Sequence, residues 1–314
     1  MGIDTLYIDL VSAWQLSEST GDRKDSKGSN DLTVVNNVGR RLCQLGYGCD
    51  FALSLPTYLI LEDANQTGLE PGSGNLSVSL WFIDDAVTQV EERVLVCKAK
   101  QSAISWIVQL GFDGSNGLQF VTSSNGIDCD TLVYEPSPSP TPQPHLVVAT
   151  WNNSTYTKRL YLDGVLVGES VLPTPEDIDD NDSPFCVGSL GGESNFFDGA
   201  IGNLNYWNKE LTEEEALLLW NNGYGFALYP EVIDSLDLDI DFNNRRDIIA
   251  YRQLILNTMS ALKYEPSMYE LDGLVLVDNR GRWQMLKDIL RFIDNKLLES
   301  TGRSKLQGPD REIY

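Results

Sequence analysis

Between residues 4 and 225 the chain repeats one local pattern. Short runs of Val, Ile, Leu, Tyr and Trp are broken by clusters of Gly, Asn, Asp and Ser, and such a chain has few solutions besides an antiparallel β-sandwich. Leu76-Ser77-Val78-Ser79-Leu80 alternates apolar and polar residues, so one face of that strand is expected to point into a core. Ser105–Phe112, the turn residues Asp113–Gly117 and Leu118–Val121 read as a hairpin. Leu146–Trp151 and Arg159–Leu162 are two more strands, and Asp163-Gly164 is a tight turn into Val165–Gly168. Trp81, Trp106 and Trp151 fall within these runs and are expected in the core. The alternating prolines from Pro136 to Pro144 predict an extended surface loop, because β pattern continues on both sides.

Past residue 230 the texture changes. Leu236–Phe242 alternates apolar and acidic residues, and the period then becomes helical, with Ile248, Tyr251, Ile255, Met259 and Leu262 on one stripe. Gly273–Val277 predicts a short strand, and Trp283, Leu286, Ile289, Ile293 and Leu297 a second amphipathic helix. Charge divides at the same place. Residues 1–230 carry 31 acidic and 11 basic residues, a net of −20, whereas residues 231–314 carry 15 and 12, a net of −3. We therefore expect a sandwich over residues 1–230 and a mixed strand–helix region over 231–314. The second is the expected attachment element, with Met259, Trp283, Leu286 and Ile293 available for burial against other copies or other proteins.

A surface as acidic as the first region repels phosphate backbones and anionic lipids, so nucleic acid and membrane are not expected partners. No run approaches 18 consecutive apolar residues, and the N-terminus lacks a basic segment followed by an apolar one. Five scattered cysteines, with Cys43 and Cys49 the only close pair, read as mostly buried thiols of a protein assembled in a reducing cytosol.

Several stretches carry a family resemblance. Ala13-Trp14-Gln15-Leu16, Glu18, Gly21 and Asp25–Leu32 look like the opening of a laminin-G-like, concanavalin A-like jelly-roll domain. Gly74–Phe82 is similar to that family's next hallmark strand, and Leu146–Trp151 with Leu160–Gly168 resembles its strand followed by a Tyr-x-Asp-Gly turn. Phe197–Ile201 and Leu204–Asn208 resemble its closing strand, and Leu211–Glu215 the start of its final helix. That helix also has a local signature: Thr212 and Glu215 fit a capping box, and Leu217, Leu218 and Trp220 offer an apolar face. The fold implied is a mainly β, two-sheet antiparallel jelly roll over about residues 4–225, followed by a small C-terminal α/β appendage.

The resemblance implies binding more than catalysis. The glucanase branch sets an acid triplet on one strand, and no such triplet occurs; Glu270-Leu271-Asp272 is its nearest fragment. His145 is the single histidine and reads as a loop or strand-start residue. No cofactor is required, and calcium is the one ion the resemblance implies. Glu18, Asp25 and carbonyls near Gly28 and Asn30 match the first half of that family's calcium loop. The closing-strand acid is replaced by Gly202, leaving Asp198 or Asn203 to stand in. Asn195, Phe196 and Phe197 are the candidate glycan contact, since two adjacent aromatics on a strand cannot both point inward. A sandwich of this kind without an export signal resembles bacteriophage virion proteins. The expected role is thus a non-enzymatic display protein (capsid decoration, head fibre or tail/baseplate component) on the virion surface, assembled in the host cytoplasm and touching host glycans. The alternatives are a carbohydrate-binding module or adhesin of a bacterial surface system and, third, a glycan-cleaving enzyme.

Overall fold

The structure is a computed structural model. It describes residues 3–85, 91–112, 115–135, 143–174, 176–223, 225 and 228, and the strands at 268–271 and 274–277. The chain divides into two compact units, residues 3–231 and 232–314.

The first unit begins with β1 (Leu10–Trp14), β2 (Thr33–Val35), β3 (Gly39–Cys43), β4 (Gly46–Phe51) and β5 (Tyr58–Leu61). Next come β6 (Leu76–Asp84), β7 (Arg93–Lys100), β8 (Ala103–Phe112), β9 (Ser115–Gly126) and β10 (Cys129–Tyr134). β11 (His145–Asn152), β12 (Thr157–Leu162), β13 (Val165–Val171), β14 (Phe185–Val187) and β15 (Gly199–Trp207) complete the strands, and α1 (Glu213–Trp220) follows. An eight-stranded sheet runs β13-β12-β11-β6-β15-β4-β3, with β1 also on β15, and a seven-stranded sheet runs β10-β9-β8-β7-β14-β5-β2. All pairings are antiparallel. This is the two-sheet sandwich that the sequence pattern predicts, and it is consistent with the jelly roll that the resemblance implies.

The core lies between the sheets. Leu76, Val78, Leu80 and Phe82 of β6 join it, so the alternation read from the sequence sets the strand's inner face. At its centre four rings meet from both sheets. Trp14 stacks on Phe185 at 5.3 Å, and Trp106 meets Phe185 at 5.9 Å and Tyr206 at 6.0 Å. Trp151 is in the same core. Trp81 is buried too, but on the opposite face of β6, where it stacks on Trp220 of α1 at 5.4 Å. β8 and β9 form the expected hairpin, although Ser115–Gly117 belong to the strand rather than to the turn. Asp163 (φ 53°) and Gly164 (φ 76°) make the left-handed turn between β12 and β13. The Gly164 α-carbon packs so close to Trp220 that an added Cβ would lie 2.9 Å from it.

α1 starts with the capping box its sequence announces. Thr212 Oγ1 accepts from Glu215 N, and Glu215 Oε2 accepts from Thr212 N at 3.0 Å. Its buried face corrects the sequence reading. Ala216 and Leu219 point inward with Trp220 beside them, while Leu217 is 51 % exposed. At about 100° per residue, a face through 216, 219 and 220 turns Leu217 to solvent.

In the second unit, β16 (Met268–Leu271) pairs antiparallel with β17 (Leu274–Val277). β17 is the short strand expected near Gly273–Val277. The strand expected at 236–242, both amphipathic helices, most of the proline run, and the residues Met259, Trp283, Leu286 and Ile293 lie outside the described residues.

Candidate functional site

The candidate glycan contact forms where the segment after β14 folds back over β5. Leu190 N donates to Ser194 O and Glu193 N to Leu190 O, both at 2.9 Å, which closes a tight turn. Gly191 (φ 59°) and Gly192 (φ 74°) sit inside it. A Cβ on Gly192 would lie 2.8 Å from the ring and hydroxyl of Tyr58, so the turn can rest on that ring only with glycine there. The two adjacent phenylalanines then part. Phe197 is fully buried, edge-on to Phe51 at 6.2 Å, and its N–H donates to Gly188 O at 2.9 Å. Phe196 stays half-buried, 6.1 Å from Tyr58, itself half-buried because Leu59 and Leu61 take the inner positions of β5.

Polar groups border this aromatic pair. Glu193 Oε2 accepts from Gln101 N at 3.1 Å, and Gln101 Nε2 donates to Ser194 Oγ at 3.2 Å. Asn195, in the left-handed region at φ 51°, accepts from Val94 N at 2.9 Å and donates through Nδ2 to Glu92 Oε2 at 3.1 Å. Partial burial, with Cys186 and Glu62 nearby, raises the Tyr58 hydroxyl above its ordinary range, so Tyr58 presents a neutral phenol. Two half-covered rings beside amide, hydroxyl and carboxylate groups can stack on the apolar face of a sugar and hydrogen-bond its hydroxyls.

Of the residues matched to a calcium loop, Glu18, Asp25 and Gly28 follow β1 and Asn203 lies on β15. Asp25 Oδ1 accepts from Ala13 N and Lys27 N, both at 3.0 Å, and Oδ2 accepts from Asn30 N at 3.1 Å. Asn30 continues the staple, donating to Ser12 Oγ and Thr67 O and accepting from Thr67 N, while its carbonyl takes the Trp14 indole N–H at 2.6 Å. Gly28 is needed because a Cβ there would lie 2.7 Å from Asp25 Oδ2. Glu18 Oε1 accepts from Lys24 N at 2.8 Å, and its Oε2 is buried without a hydrogen-bond partner. Asn203 is buried; its backbone N–H donates to Gln15 O and its backbone carbonyl accepts from Asn205 Nδ2.

Asp198 stands elsewhere, at the rim where β4, β15 and β6 meet, and its carbonyl accepts from Asp85 N. Burial together with Asp85 and Asp84 raises its carboxyl above the usual range, and burial likewise raises Asp50, opposed by Arg41 and reinforced by Asp85 and Asp198. Calcium takes about six to eight oxygens, and the matched carboxylates leave one unengaged at Glu18. Among the described residues, no group of three or more His, Cys, Asp or Glu side chains is arranged to hold a metal ion.

A family profile described as the concanavalin A-like lectin/glucanases superfamily matches residues 57–216, just over half of the chain. The chain belongs to that superfamily. No curated protein sequence matches it. Among solved structures the binding domain of Paraclostridial Mosquitocidal Protein 1 is similar, with a TM-score of 0.56, 17 % identity, and coverage of 69 % of this chain and 53 % of that one. The receptor binding domain of botulinum neurotoxin D follows at 0.51 and 16 %, covering 68 % and 53 %. The ligand binding domain of botulinum neurotoxin serotype D in complex with N-acetylneuraminic acid gives 0.51 and 15 %, covering 68 % and 51 %. At these identities the likeness is one of fold, and the chain spans about half the length of each of these binding domains.

Within this lectin/glucanase sandwich, His145 opens β11. Its Nδ1 lies 2.7 Å from Asp163 Oδ2, and Asp163 Oδ1 accepts from Leu146 N at 2.9 Å, so the carboxylate joins the histidine to the Asp163-Gly164 turn. Its Nε2 is buried and has no hydrogen-bond partner among the described residues. No helix among the described residues is long and apolar enough to cross a membrane. Two members of the aromatic site, Tyr58 and Gln101, were not singled out in the sequence. Tyr58-Leu59-Ile60-Leu61 reads only as an apolar strand, and what brings the turn after β14 onto Tyr58 is the pairing of β14 with β5.

Proposed function

We propose that the first unit is a non-enzymatic, carbohydrate-binding display domain that holds a sugar ring against Tyr58 and Phe196. The observation that carries this reading is the half-buried aromatic pair, fixed by a glycine turn and bordered by Gln101, Glu193 and Ser194. Binding domains of similar fold support it, one of them solved with N-acetylneuraminic acid. Glu62, Glu92 and Glu193 near the pair, and the net −20 of residues 1–230, oppose an anionic sugar. The ligand class is therefore a neutral glycan. In the virion setting expected from the sequence, this domain faces outward and residues 231–314 attach it. The test is a glycan array with the full chain, followed by titration of the best neutral ligand into Phe196→Ala and Tyr58→Ala. Each substitution should weaken binding at least tenfold with the fold retained. Unchanged affinity in both, or release of reducing ends from a polysaccharide, would overturn the proposal.

A further inference from the structure

Cys97 and Cys186 face each other across two neighbouring strands. They are direct register partners in the pairing of β7 with β14, and both are fully buried in one apolar cluster with Val94, Ala99 and Ile107. Two residues to either side, Gly188 N donates to Leu95 O and Ala99 N to Pro184 O. Hydrogen-bonded and non-hydrogen-bonded pairs alternate along an antiparallel ladder, so the two cysteines occupy a hydrogen-bonded pair, whose α-carbons stand about 5.5 Å apart. Disulfides span about 4.4–6.8 Å between α-carbons, and directly opposed residues share a face. Both thiols are free in this structure.

We infer that Cys97 and Cys186 are a latent cross-strand disulfide, formed when hydrogen peroxide oxidises the buried pair. One thiol gives up its proton and the thiolate attacks a peroxide oxygen: an S–O bond forms, the O–O bond breaks, and the departing hydroxide takes up that proton and leaves as water. The second thiol then attacks that sulfur, forming the S–S bond and breaking the S–O bond, and its proton leaves with the oxygen as a second water. Two thiols thus supply the two electrons that reduce one hydrogen peroxide. The reaction is gated. Burial pushes the Cys97 thiol up to about 12 and raises Cys186 well above its ordinary value, with Cys97 itself adding to the second shift. The cover is the turn of the candidate site, since Cys97 Sγ donates to Ser189 O at 3.4 Å. Opening that turn exposes the pair, and closing the disulfide removes the bond to Ser189. The inference rests on strand register and stands whether or not the Tyr58–Phe196 surface binds sugar.

The test treats the full chain, carrying Cys43→Ser and Cys129→Ser to remove the two less buried thiols, with hydrogen peroxide. Denaturation, alkylation and unreduced peptide mass mapping follow. One cross-linked peptide joining residues 97 and 186 should appear, lighter by two hydrogens than its parts and lost on reduction. In Cys186→Ala the same treatment should leave Cys97 as a sulfenic acid that dimedone traps. The unsubstituted chain gives an independent check, because peptide mapping should recover the same 97–186 cross-link with Cys43 and Cys129 in place. Recovery of both residues as free thiols, or as separate sulfinic acids, once Cys129 of the unsubstituted chain has fully reacted, would overturn the inference.

Discussion

Gly192→Ala separates backbone strain from contact at the candidate site. Gly192 has φ 74°, where a side chain costs about 1–2 kcal/mol. Its new Cβ would also lie 2.8 Å from Tyr58 Cε2, Cζ and the hydroxyl, so the ring must swing toward Phe196 or the turn must lift. Overpacking of this kind adds about 1–3 kcal/mol, for a total near 2–5 kcal/mol. Gly21 supplies the control, with φ 76° and nothing within 4 Å of an added Cβ. Gly21→Ala should therefore cost the strain alone, about 1–2 kcal/mol. Urea unfolding followed by tryptophan fluorescence measures both. Adding Tyr58→Ala to Gly192→Ala should recover the contact part and leave the strain, a coupling of about 1–3 kcal/mol. Equal losses at positions 21 and 192, or no coupling with Tyr58, would refute the argument that this ring dictates the glycine.

Asp25→Ala removes an acceptor of three backbone N–H groups and should cost on the order of 3 kcal/mol, equally in calcium and in EDTA; a calcium-dependent rise in Tm that disappears in the variant would return Asp25 to a ligand set. Asp198→Asn should raise Tm at pH 7. Because the folded-state pKa of Asp198 is raised, its favourable contribution is complete below the unfolded value of about 3.9 and is lost as pH rises through the folded one, so the gain should vanish by pH 3. Thr212→Ala should cost about 0.5–2 kcal/mol through the lost cap, whereas Leu217→Ala should be nearly neutral because that side chain is exposed; thermal melts of the two compare them directly.

What the sequence determined by itself was whatever neighbouring residues impose on one another. The alternation along Leu76–Phe82 set which face of β6 points inward, Thr212 and Glu215 set where α1 begins, and Asp163-Gly164 set the turn into β13. The parting of Phe196 and Phe197 was expected from strand alternation, whereas the structure places both in the loop before β15, with Phe197 buried and Phe196 half-buried. The tertiary structure alone decided what depends on which strands become neighbours. β14 lies between β7 and β5, each far from it along the chain, and that order sets Cys186 opposite Cys97 and brings the turn after β14 onto Tyr58. Asp25 is a similar case: a carboxylate in a polar loop looks the same in sequence whether it faces a cation or the amides of Ala13, Lys27 and Asn30. Periodicity fixes the inner and outer faces of a strand because its side chains alternate with a period of two, but it carries no term for the strand's partner, since pairing is a contest among long-range contacts that only the packed sandwich resolves.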